Sequence, residues 1–425
     1  MALSRRKMLL GGLGAASAGL FGLGRSARAE GERPAKNLIM ILVYGGWDVT
    51  YALDPKPGLS TIDVPAGAIE TLGGLPIFTH ASRPATRSFF EAWGSSTTLV
   101  NGISVQSINH PDCTKRILTG TASETNPDAG AIAAFELAPD LPAPYLVLGP
   151  TAYTGPLASI AARTGTLTQV RGLMDPTLAF PRLDPTVPRF SPTEAETSMV
   201  AEYVKARAER ERVTRGARGY NAKRIDDFVK SLDRGESLKG FSGAFGEEFA
   251  FTLDLRVQVD IALRAISEGL SHTVHLEQTF ALWDTHSGNE LQAPLFEDLM
   301  GALSLLATEL ASRPGKAAGS RLLDETVVAV VSEMSRTPKL NDAMGKDHWP
   351  VTSAMFFGGG IPGGRVLGAT GENLEALAVD LATGTPTSEG TILQYSNLVA
   401  GLLGAVGVDS EAYLPNAEPF HALIG

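Results

Sequence analysis

From Asn37 the chain runs through Leu38-Ile39-Met40-Ile41-Leu42-Val43-Tyr44 without a charge, then turns abruptly through Gly45-Gly46-Trp47-Asp48. A run this short, apolar on both faces and closed by glycines, predicts a strand buried inside a parallel sheet. Leu99–Val105, Tyr145–Leu148 and Thr273–Phe280 predict further strands, and Thr326–Val331 is almost entirely β-branched. Ala354–Phe357 and Arg365–Leu367 flank the glycine-rich stretch 358–364, which reads as a close-packed turn. Between the strands, Leu295, Leu299, Leu303, Leu306 and Leu310 recur at three- and four-residue spacing, the pattern of a helix with one buried face. Ile392–Val406 predicts another helix. Residues 192–240 differ: they are rich in charge, as in Glu209-Arg210-Glu211-Arg212, and poor in large apolar side chains. They predict exposed helices forming an insertion or cap. Strands alternating with helices define an α/β fold with a mostly parallel sheet.

The N-terminus follows another logic. Arg5-Arg6 precede an apolar stretch, Met8–Gly24, that six glycines dilute, and Ala27-Arg28-Ala29 supplies a small-x-small cleavage pattern. Residues 1–29 therefore read as a twin-arginine signal peptide and 30–425 as the mature α/β domain. The partner this implies is the export machinery for folded proteins, and the location is periplasmic or extracellular. The stretch falls short of the roughly 20 strongly apolar residues of a membrane span, so no anchor is expected after processing. The leader carries five basic residues and no acidic one, which moves the net charge from −10 for the whole chain to about −15 beyond it. Such a chain is not built to bind nucleic acid. Its single cysteine, Cys113, excludes an internal disulfide.

Ligands of open α/β sheets collect beyond the carboxyl ends of the strands. Asp48 lies there after the first strand, Glu333 two residues past the β-branched run, and Asp284 with His286 after the strand beginning at Thr273. His348, in Lys346-Asp347-His348-Trp349-Pro350, stands in a loop before the next strand. Each alone also fits a helix cap or a turn. Together they bring carboxylates and imidazoles to one rim, a donor set for Zn, Mn, Mg or Ca. Arg336 and Lys346 adjoin these residues, where they either bind an oxyanion or form exposed ion pairs. His80, His272, His275 and His421 read as solvent-facing or locally satisfied. No Gly-x-Ser-x-Gly, phosphate-binding loop or Cys-x-x-Cys occurs.

The order Gly-Gly-x-Asp, Asp-Thr-His, Ser-Glu-x-x-Arg-Thr, Asp-His-Trp-Pro and Gly-Gly-Gly-x-x-Gly-Gly-Arg-Val resembles the bacterial exported family catalogued as domain of unknown function 1501. That family is similar to the alkaline phosphatase and sulfatase superfamily. The resemblance implies an alkaline-phosphatase-like three-layer sandwich with a metal site at the carboxyl edge. It implies one ion held by Asp284, His286 and His348, and a second by Asp48 and Glu333. The superfamily's nucleophile opens a helix that runs into Thr-Gly, here Thr119-Gly120, and the position nine residues before that threonine is His110. His110 is thus a candidate metal ligand, acid–base group, nucleophile or helix-start residue. Asn109 beside it, with Arg336 and Lys346, completes a candidate substrate-binding set. Two functions follow. One is an exported, metal-dependent hydrolase of small anionic phosphate or sulfate esters, using one or two ions. The other is a non-catalytic binding or assembly protein on the same fold.

Overall fold

A computed structural model of the chain describes residues 34–164, 169–175, 186, 192–216, 218–242, 252–278 and 282–424. The leader read at residues 1–29 lies outside the described residues, as does the end of the strand expected to reach Phe280. The centre is a sheet of eight strands: β1 (Asn37–Val43), β2 (Thr97–Ser104), β3 (Tyr145–Val147), β4 (Ala161–Arg163), β5 (Thr273–Gln278), β6 (Thr326–Ser332), β7 (Val351–Gly358) and β8 (Arg365–Leu367). Their spatial order is β8-β2-β7-β6-β1-β5-β3-β4. β1 pairs in parallel with β5 and β6, which place Ile41 beside Leu276 and Val330. β7 runs antiparallel to both β6 and β2, the one reversed strand of this sheet. It therefore presents its beginning, not its end, to the rim where the other strands finish.

The continuous apolar runs arise because both faces are covered. Ile39, Ile41, Val43, Val328 and Val330 pack on one side against helices α1 (Pro84–Trp93), α6 (Leu255–Ser267) and α7 (Gln292–Ser312). Leu38, Met40, Leu42, Val327 and Val331 pack on the other against α2 (His110–Thr119), α3 (Ala129–Leu137) and α8 (Tyr395–Val406). The result is the expected three-layer α/β/α arrangement with a mostly parallel sheet. In α7, Leu299, Leu303, Leu306 and Leu310 are fully buried, as their spacing predicts. The last helix opens at Tyr395, not Ile392, because Thr391–Ile392 is drawn into a two-residue ribbon with Ala378–Val379. The charged stretch forms α4 (Glu194–Thr214) and α5 (Tyr220–Lys239), linked by ion pairs Lys205–Asp233 at 2.7 Å and Arg212–Asp226 at 2.6 Å. Among the described residues no helix is long and apolar enough to cross a membrane.

α2 is placed by strong end signals. Asn109 caps its start, its side chain accepting from the Asp112 N–H at 3.2 Å, and Pro111 occupies the first turn. Gly120 closes it with φ +72°, where a Cβ would meet Leu414 at 2.9 Å. These signals fix where His110 stands relative to the sheet.

One histidine departs from the sequence reading, and a second is satisfied locally by the Thr273 hydroxyl at 3.4 Å but buried. His275, on β5, is fully buried and neither ring nitrogen has a hydrogen-bond partner. His272, just before β5, is also buried, and burial together with the charge of Lys316 pushes its pKa down to about 4 from 6.5. A histidine held neutral in the fold protonates more readily once unfolded, so its stabilisation is complete above pH 6.5 and declines as pH falls from there toward 4. Between pH 7 and pH 5 the wild type should lose about 2 kcal/mol more stability than a His272→Gln variant, at about 1.4 kcal/mol per pH unit below 6.5. Urea unfolding of both proteins at the two pH values measures this. Parallel losses would assign the acid sensitivity to other groups.

Candidate metal centre

The rim is built around the Gly45-Gly46 turn at the end of β1. Gly45 has φ +121°, and a Cβ there would meet the Asp284 nitrogen and the Trp283 Cβ, each at 2.9 Å. Only a bare backbone lets the 283–286 segment close down on the strand end. Arg336 locks this approach. It lies in a two-residue antiparallel ribbon, Ser335–Arg336 against His348–Trp349, that leaves the main sheet after β6. Its guanidinium donates to the Gly45 carbonyl, to the Gly46 carbonyl at 2.9 Å, to the Lys346 carbonyl at 3.1 Å and to Asp284 Oδ1 at 2.7 Å. Gln292, the first residue of α7, adds bonds to the Trp283 carbonyl at 2.9 Å and from the Asp48 N–H at 2.9 Å.

Onto this frame converge three imidazoles and one carboxylate oxygen. The Nε2 atoms of His348, His286 and His110 lie 3.1, 3.2 and 3.5 Å from Asp284 Oδ1. The Nε2 atoms of His286 and His348 are 2.9 Å apart. His110, Asp284 and His348 each offer a ligand atom within 4.8 Å of the others, which defines a site able to hold a metal ion. The far side of every ring is held. His110 Nδ1 meets Glu333 Oε1 at 2.7 Å, His286 Nδ1 meets Asp347 Oδ1 at 2.8 Å, and His348 Nδ1 meets the Ile108 carbonyl at 2.7 Å. A carbonyl or an ionised carboxylate only accepts, so each Nδ1 carries the proton and each Nε2 turns a lone pair inward. Lone pairs this close to one another and to a carboxylate repel unless a cation lies among them. His110 Nε2 is itself buried without a hydrogen-bond partner. The donor set therefore fits a metal ion.

The surrounding carboxylates favour positive charge at this place. Burial works against a charged His110, but the Glu333 hydrogen bond and the charges of Glu333 and Asp284 outweigh it and raise the pKa above the ordinary value. Burial also disfavours ionised Asp284, yet the hydrogen bond and charge of Arg336 hold its carboxyl below the usual range.

The other expected site residues are placed elsewhere. Asp48 does not share a site with Glu333. It is fully buried, and its oxygens take Lys346 Nζ at 2.8 Å, Asn289 Nδ2 at 2.8 Å and the Thr50 hydroxyl at 2.7 Å. Glu333 is buried behind His110 and also accepts from the Gly45 N–H at 2.7 Å. Arg336 and Lys346, expected to face an oxyanion or solvent, are interior, with their donors given to the rim itself. Asn109 caps α2. His110 faces Glu333 and the cluster of Asp284, His286 and His348. Near it, the Thr114 hydroxyl bonds back to the His110 carbonyl at 2.7 Å, and the Cys113 thiol is buried and pushed up to about 11 by that burial. Sequence reasoning missed Gln292, Asn289, Ser332, Asp347 and Tyr44, which stand around the site. The signal for Gln292 and Asn289 was an amide at or beside the start of an otherwise apolar helix.

Three solved structures are similar to this chain. A protein in the alkaline phosphatase superfamily from Vibrio parahaemolyticus is 10% identical, with a TM-score of 0.40, over 98% of this chain and 78% of that one. A sulfatase from Pseudoalteromonas sp. is 12% identical, with a TM-score of 0.36, over 97% and 75%. The lipoteichoic acid synthase LtaP from Listeria monocytogenes is 10% identical, with a TM-score of 0.35, over 92% and 75%. Residues 257–420 match the family model described as protein of unknown function (DUF1501). That span holds Asp284, His286, Glu333, Arg336, Lys346 and His348, and leaves out Asp48 and His110. No curated protein matches the sequence.

Glu333 acts on the cluster through His110. Replacing it by glutamine removes the negative partner that makes the imidazole a stronger donor, so divalent-ion affinity should fall by about 10–100-fold. Competition titration with a chromogenic chelator reads this directly, and an unchanged affinity would show that His110 takes no part in binding.

Proposed function

We propose that the protein is a metal-dependent hydrolase of phosphate or sulfate esters, working with one divalent ion held by His110, Asp284, His286 and His348. The observation that carries the reading is the convergence of three Nε2 lone pairs on Asp284 Oδ1, each ring held from behind by an acceptor. Three imidazoles and one carboxylate favour zinc-like ions over magnesium or calcium, which prefer oxygen donors throughout. A second ion at Asp48 and Glu333 is not part of the proposal, since Lys346 supplies the positive charge beside Asp48.

When bound, a divalent ion there supplies Lewis-acid polarisation of an ester oxygen. The chain does the positioning. Arg336 holds Asp284 ionised and aimed at the cluster, while Glu333, Asp347 and the Ile108 carbonyl fix the proton of each imidazole on Nδ1. His110 is in this reading a ligand, not the attacking group. Cys113 and Thr114 are turned away, so ester cleavage here relies on attack by water without a covalent enzyme intermediate. The same feature favours a second reading, a non-catalytic binding protein that keeps the ion for stability.

Metal analysis followed by ester assay separates the two. About one equivalent of zinc-like metal is expected per chain, with stoichiometry reduced in His348→Ala. Chelator should lower the melting temperature, because the ion binds the native site and not the unfolded chain. Hydrolysis of an aryl phosphate or aryl sulfate that stops with chelator and returns with zinc supports the enzyme. Metal binding without turnover on either ester supports the binding protein, and a metal-free chain with a chelator-insensitive melting temperature removes both.

The proposal includes export of the folded chain through the twin-arginine route, supported by Arg5-Arg6 and the glycine-diluted stretch after them. Replacing both arginines by lysine should hold the precursor in the cytoplasm of the producing cell. Fractionation and blotting tests it, and undiminished mature protein outside the cytoplasm would overturn it.

A further inference from the structure

Tyr44 closes the first strand, one residue before the glycine turn on which the metal cluster rests. Its backbone is fixed from two sides: its own N–H donates to the Gln278 carbonyl at 3.2 Å, and the next N–H, of Gly45, donates to Glu333. The ring is half-buried, its apolar body packed on the core beneath α2, and its centroid lies 5.5 Å from that of His110 at a tilt of 36°. Among the described residues no group is hydrogen-bonded to its hydroxyl. Because the ring is only half-buried, its hydroxyl is open to a partner from outside the fold. Here the neighbouring polar groups are already engaged: Glu333 with His110 and Gly45, Asp284 with Arg336, and Glu277 with the Thr151 N–H at 3.0 Å.

We propose that Tyr44 is a substrate-contacting residue, whose phenol donates a hydrogen bond to an oxygen of an oxyanion bound at the cluster. The inference rests on the reading of that cluster as a metal centre. It also explains why a residue so close to three carboxylates is tyrosine: a neutral O–H donates without adding a charge to be balanced. The ring is rigid and stands on a strand end, so the hydroxyl is presented without the entropy loss of ordering a long lysine or arginine. The oxyanion is of the phosphate or sulfate class, with several oxygens of which one can meet the phenol while another faces the cluster.

The test uses the full-length mature protein loaded with cobalt(II), whose visible spectrum reports both metal binding and changes around the metal. Inorganic phosphate is titrated into wild type and Tyr44→Phe. Phosphate should perturb the wild-type spectrum, and the variant should bind phosphate about 5–10-fold more weakly, the usual effect of one lost hydrogen bond. Cobalt affinity and melting temperature should be the same in both proteins. Equal phosphate affinity in the two proteins overturns the role of Tyr44 and leaves the metal centre standing, as does a wild type that takes cobalt but ignores phosphate. A variant that loses cobalt affinity along with phosphate shows the ring to be structural, which also overturns it. Failure of the wild type to bind cobalt removes the metal reading and this inference with it.

Discussion

One guanidinium holds the rim together. Arg336 reaches the carbonyls of Gly45, Gly46 and Lys346 and the carboxylate of Asp284, so the end of β1, the segment after β5 and the ribbon after β6 share a single donor. Burying a charge of this kind is costly unless every proton finds an acceptor. The fold supplies four acceptors, the carbonyls of Gly45, Gly46 and Lys346 and one carboxylate. In return the carboxylate is held ionised at a fixed place, and it is the group around which three histidines gather. Loss of the guanidinium would leave carbonyls of the turn unsatisfied and Asp284 unanchored together.

A second buried pair works on the same principle one layer deeper. Asp48 and Lys346 are both interior and 2.8 Å apart, with Asn289 and Thr50 filling the remaining positions on the carboxylate. The Asp48 N–H meets Gln292, which in turn holds the Trp283 carbonyl. Charge here serves to set backbone positions. It ties the first strand, the start of α7 and the loop before His348 into one block, and the three histidines are mounted on its outer surface.

Much of this was legible in the residues. β1 and β6 could be read because burial on both faces leaves an unbroken apolar run, and α2 because Asn109, Pro111 and Gly120 mark its ends. Asp284 and His286 could be placed at the rim from their position after a strand, and it was the family resemblance that grouped them with His348. The reversal of β7 could not be read, since a mostly apolar strand carries no sign of direction, and it is this reversal that brings His348 back to the rim through a short ribbon. The true role of Asp48 was hidden for a related reason: a carboxylate after a strand looks the same whether it meets a metal or a lysine ammonium. His110 could be placed from the Thr119-Gly120 spacing. Its attachment to Glu333 depends on a pairing across 223 residues that no local pattern records.

The lone cysteine has a use that follows from where it sits. Cys113 lies less than one helical turn beyond His110, sealed from solvent, with its thiol held in the unreactive protonated form. Attack by a soluble disulfide reagent must therefore wait for α2 to lift from the sheet, and the reaction rate measures how often it does so. The molecule thus carries an internal clock for the opening of the helix that brings His110 to the rim from outside the 257–420 segment. Any ligand that engages His110 will slow that clock, whatever the chemistry it undergoes.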